Sequence, residues 1–143
     1  MALLQRIHHV AYRCRDAKQT VEWYGKHLGT DFVLAIAENN VPSTGAPDTY
    51  MHVFLDAGAG NILAFFELPK SPPMGRDPNT PDWVQHIAFR VKDQATMLEA
   101  KANVEQKDTI KAMVYWGHAP NSQTRGPDVK KGMEKLDMMV IID

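Results

Sequence analysis

Cysteine is nearly absent from this chain of 143 residues: Cys14 stands alone, so no internal disulfide can hold the fold. No run approaches the roughly 20 apolar residues that a membrane-spanning helix needs, and Met1 to Arg6 lacks the apolar stretch of a signal peptide. A surplus of charge is missing as well. The 16 Lys and Arg stand against 17 Asp and Glu, a formal net charge of -1, which leaves no field to gather nucleic acid or an acidic membrane. These absences predict a small-molecule partner and a reducing cytoplasm as the setting. What is present suits a folded protein, with 44% hydrophobic and 23% charged residues. The length fits one compact domain, or two half-domains too small to be well stabilised apart.

The chain repeats itself. The run His9-Val10-Ala11-Tyr12-Arg13-Cys14-Arg15-Asp16 returns 77 residues later as His86-Ile87-Ala88-Phe89-Arg90-Val91-Lys92-Asp93, every pair identical or similar. Two copies at this spacing indicate duplication of a half-domain rather than a solenoid array. Both copies alternate as half-buried strands: Val10, Tyr12 and Cys14 share one face with Ile87, Phe89 and Val91 as counterparts, while the two histidines face the other way. Asp16 and Asp93 then stand where helix N-caps are wanted. After Asp16, Val21, Tyr24 and Leu28 keep helical spacing and Gly29 suits a left-handed stop; after Asp93, Ala95, Leu98 and Ala102 are the expected buried stripe.

Further strands are predicted at Asp31 to Ala37, Tyr50 to Leu55 and Ile62 to Leu68, with a Pro-, Gly-, Ser- and Asn-rich loop over Asn39 to Thr49 and a turn at Gly58-Ala59-Gly60-Asn61. The order is β-α-β-β-β. From Pro69 to Asp82 five prolines mark an extended linker. The expected organisation is a single α+β domain of two modules, 5–69 and 83–143, joined by 70–82.

Three residues stand out for chemistry: His9, Glu67 and His86. Glu67 shares a strand face with Leu63 and Phe65, and a carboxylate removed from water needs a partner. A divalent metal would supply it, and histidines at equivalent places in duplicated strands become neighbours if the modules pair about a pseudo-twofold axis. Imidazole and carboxylate together suit Zn²⁺, Fe²⁺, Ni²⁺ or Mn²⁺. His8 and His27 read as structural, and His52 as either core or a cavity-lining group able to assist proton transfer. His118 lies in the tail. Trp23, Trp83 and Trp116 read as core or interface.

Three stretches carry a family resemblance: Ile7 to Gly29 with HHVAYRCRD and WYGKHLG, Asn61 to Pro69 (NILAFFELP), and Val84 to Asp93 (VQHIAFRVKD). Together they resemble the vicinal oxygen chelate superfamily, which includes glyoxalase I, extradiol dioxygenases and bleomycin-resistance proteins. The resemblance implies two βαβββ modules paired into a cupped mixed sheet around a shared cavity. It implies His9 and Glu67 as metal ligands from the first module and His86 from the second. It also implies a glyoxalase-like lyase or isomerase, or an extradiol-type dioxygenase, in which one divalent metal chelates adjacent substrate oxygens. The alternative is a metal-free drug-binding protein of the bleomycin-resistance kind. From about Ala112 the tail departs from the family pattern, lacking its Asp-Pro-Asn-Gly turn; Leu136 to Ile142 is the candidate last strand, with Glu134 or Asp137 near the place of a fourth ligand. Open sheet edges in so small a module predict a homodimer.

Overall fold

The structure is a computed structural model. It describes residues 3–4, 6–75, 78–80, 84 and 87–105, together with the backbone of 112–115 and 137–140. The chain divides into two compact units, Met1–Arg76 and Asp77–Asp143, a boundary that falls inside the proline-rich stretch.

In the first unit β1 (His9–Cys14) leads into α1 (Ala17–Leu28), followed by β2 (Asp31–Asn40), β3 (Pro47–Asp56) and β4 (Ile62–Glu67). The class is α+β. Its four strands form one mixed sheet in the order β1-β4-β3-β2, with β1 parallel to β4 and the other pairs antiparallel. The helix begins where its free amides find an acceptor: Asp16 Oδ1 takes the Gln19 N–H at 2.7 Å. It ends at Gly29, whose φ of 67° is left-handed and whose N–H reaches the Gly25 carbonyl. Ala17 and Tyr24 turn inward against the sheet, where Val53, Leu55, Leu63 and Phe65 are buried, and the Tyr24 and Phe65 rings lie 5.0 Å apart. Burial pushes the Tyr24 hydroxyl well up from its ordinary range.

The stretch expected as a loop over Asn39 to Thr49 is shorter than its composition suggested. Strand pairing runs on to Asn40 and resumes at Pro47, and only 41–46 turns, closed by Val41 N–H to the Ala46 carbonyl at 2.8 Å. Polar residues are at home in these strand ends because β2 is an edge: all ten of its residues are exposed, Phe32, Leu34 and Ile36 among them.

In the second unit the described elements are β5 (Ile87–Arg90), α2 (Gln94–Glu105), β6 (Ala112–Tyr115) and β7 (Asp137–Val140). Asp93 caps α2 as expected, accepting from Thr96 N at 2.9 Å and from the Thr96 hydroxyl at 2.7 Å. The first of these bonds is the main reason its carboxyl is held below the usual range. The buried stripe of α2 is not the expected one. Met97 and Val104 are buried, whereas Ala95, Leu98 and Ala102 are exposed. Seven residues apart, Met97 and Val104 lie on one helix face and bury larger side chains than the alanines would.

The sheet of this unit runs β5-β7-β6, with β7 antiparallel to both neighbours. The first unit's last strand runs parallel to its first. The expected tail strand is present over Asp137–Val140, and it is the middle strand. Deleting 137–143 should therefore release β5 from its only partner among the described residues. Hydrogen exchange of the Ile87–Arg90 amides should then rise to the rate of unstructured chain; protection retained at those amides would show that β5 is held without β7.

Candidate functional site

Cross-strand pairing fixes which side chains share a face. Cys14 pairs with Glu67, Tyr12 with Phe65, and Met51 of β3 with Glu67. That row belongs to the face covered by α1. The opposite row contains His9, Ala11 and Arg13 of β1, Ile62, Ala64 and Phe66 of β4, and Tyr50, His52 and Phe54 of β3. His9 and Glu67 thus project from opposite faces of one sheet.

Glu67 is engaged on the helix side. Its Oε2 accepts the Ala17 N–H at 2.7 Å, so the last residue of β4 satisfies a free amide at the start of α1, where the helix dipole favours negative charge. Beside it opens a cleft of about 530 Å³ lined by Ala17, Val21, Phe32 and Met51. Burial, with the Glu67 carboxylate adding to it, pushes the Cys14 thiol up against a hydrogen bond from Thr20 that lowers it.

The His9 face is aromatic. His52 is buried, stacked on Phe66 at 3.6 Å and 19°, with Phe54 at 4.2 Å and the His9 ring 6.1 Å away. His9 also meets Phe54 at 5.4 Å, and its Nδ1 shares a hydrogen bond of 2.9 Å with Nδ1 of His8. One of these two rings must donate and the other accept. His8, expected to be structural, thus contacts the His9 ring. His52 Nε2 is buried with no hydrogen-bond partner among the described residues. Burial, with the His9 ring adding to it, lowers the His52 pKa from the ordinary 6.5.

At the other end of this face Arg13 donates from Nη2 to the Pro72 carbonyl at 2.6 Å, while its Nε is buried and, among the described residues, unpartnered. His27, expected to be structural, is buried beside Trp23, the rings 5.1 Å apart. His86, Trp83, Trp116, His118 and Glu134 lie outside the described residues, and Asp137 is placed only as the β7 residue paired with Arg90. Among the described residues no three His, Cys, Asp or Glu side chains gather closely enough to hold a metal ion. On the face that carries His9, β4 contributes Ile62, Ala64 and Phe66, none of which is a ligand. Of the expected donor set, His9 and Glu67 are described, and they stand on opposite faces of the sheet.

The model of the glyoxalase/bleomycin resistance protein/dioxygenase superfamily matches residues 6–122, and the chain belongs to that superfamily. No curated protein matches it. Among solved structures, the crystal structure of SMU.1112c is 22% identical, covering 80% of this chain and 83% of that one with a TM-score of 0.48. Among the described residues no helix is long and apolar enough to cross a membrane.

Two consequences can be measured. Replacing Glu67 by Ala should cost about 1 to 2 kcal/mol in chemical denaturation, as losing a helix cap does, and should leave any divalent-metal content unchanged. Metal lost together with Glu67 would make it a ligand. His52, with its folded pKa lowered, is protonated first in the unfolded chain as pH falls, so stability present above about 6.5 is lost progressively below it. Thermal melts between pH 8 and 5 should show this slope, and His52→Gln should flatten it; an unchanged slope would assign the pH dependence to other groups.

Proposed function

We propose that the chain binds a small organic molecule on the His9 face of its four-stranded sheet and needs no metal to do so, in the manner of the drug-sequestering branch of its superfamily. One observation carries this reading: on the face left uncovered by α1, His9, His52, Phe54 and Phe66 form a contiguous group of rings. Such a surface supplies apolar area and π-faces for a flat ligand, with imidazole nitrogens to orient it. The metal-dependent lyase, isomerase or dioxygenase reading asks Glu67 to serve as a ligand. Its bond to Ala17 N weighs against that role. A homodimer is part of the proposal, since the exposed edge of β2 can accept a further strand.

A titration with small aromatic fragments, followed through the imidazole resonances of His9 and His52, tests the reading. Saturable shifts at both rings, with the same midpoint before and after removal of divalent metals by a chelator, are expected. Shifts that vanish with the chelator would return the site to a metal-dependent enzyme.

A further inference from the structure

Two buried polar atoms on the His9 face have no hydrogen-bond partner among the described residues, and both stand beside Phe66. Arg13 pairs with Phe66 across β1 and β4, and His52 pairs with Phe66 across β4 and β3. One row of the sheet therefore reads cation, ring, imidazole. Strand spacing puts the two outer backbones roughly 10 Å apart. Arg13 is half-buried, and its only hydrogen bond among the described residues is to the Pro72 carbonyl, an uncharged acceptor, leaving Nε–H buried and unused. Removing a guanidinium from water without an anion is unfavourable, and a carboxylate is the partner its planar fork fits best. His52 is only 9% exposed, stacked on the same Phe66, and its Nε2 is likewise unused among the described residues.

Resting on the proposed ligand-binding role of this face, we propose that the ligand is an aromatic carboxylate with a polar group opposite the acid: carboxylate on Arg13, ring over Phe66, and the polar group hydrogen-bonded to Nε2 of His52. A neutral aromatic would leave the Arg13 Nε–H unpaired. A cation would be repelled by it.

The test uses 4-hydroxybenzoate, 4-hydroxybenzamide and 4-methylbenzoate as probes of the full chain, with binding read by calorimetry and by the His52 resonances. The hydroxybenzoate should bind at least tenfold more tightly than the amide, and this advantage should weaken as salt rises. Arg13→Gln should abolish it, whereas Arg13→Lys should keep part of it. His52→Phe should erase the preference for the hydroxyl over the methyl probe and leave the carboxylate preference intact, a separation that a merely structural role would not produce. Equal binding of all three probes, with His52 still shifting, would overturn the carboxylate assignment while leaving the ligand-binding face in place. Failure of every probe to shift His52 would overturn both. The comparison of probes on the unaltered protein decides the question even where a variant fails to fold.

Discussion

The parallel pairing of β1 with β4 determines most of what the first unit can do. Parallel neighbours need a crossover, and here α1, β2 and β3 all lie within it. The pairing sets Cys14 opposite Glu67 and His9 opposite Ile62, and a shift of one residue would exchange every side chain between faces. In the register observed, the helix side receives Tyr12, Cys14, Leu63, Phe65 and Glu67, and the other side receives the histidines and the phenylalanines that stack with them. The chemistry of each face follows from that single alignment.

The elements themselves were largely legible in the sequence, because each is punctuated by residues with a mechanism. Asp16 and Gly29 bracket α1 and Asp93 opens α2, all three acting as short-range groups that need no knowledge of the rest of the chain. Alternation in β1 likewise placed Val10, Tyr12 and Cys14 toward the helix. Where tertiary context decides, local reading failed. The 41–46 turn lies between strand ends whose polar residues suit an exposed edge as well as a loop, and α2 turned toward Met97 and Val104, since burial favours the larger side chains over the alanines.

The site was legible in part. The sequence placed Glu67 on the same strand face as Leu63 and Phe65, and those two residues bury beneath α1. That clue assigns Glu67 to the helix side, but it requires knowing that Leu63 and Phe65 are the pair that α1 covers, which is a fact about packing. His52 alternates with Tyr50 and Phe54 in any reading; its stacking on Phe66 depends on the β3–β4 register. The second unit shows the same limit. A terminal apolar run predicts a strand but not its direction, and β7 lies antiparallel to β5 with Asp137 opposite Arg90 and Val140 opposite Ile87.

The hydrogen bond from Ala17 N to Glu67 spans 50 residues of sequence, joining the first turn of the helix to the last residue of the last strand in the unit. Nearly the whole of the βαβββ segment is the loop that this contact closes. Loop-closure entropy grows only slowly with length, so the bond is affordable in the folded state, yet it cannot form until β4 has docked. The Ala17 amide is thus a reporter of assembly rather than of helix formation. In a folding experiment its protection would mark the arrival of the final strand, and fraying at either end of the unit would expose it, which ties the two ends into one cooperative event.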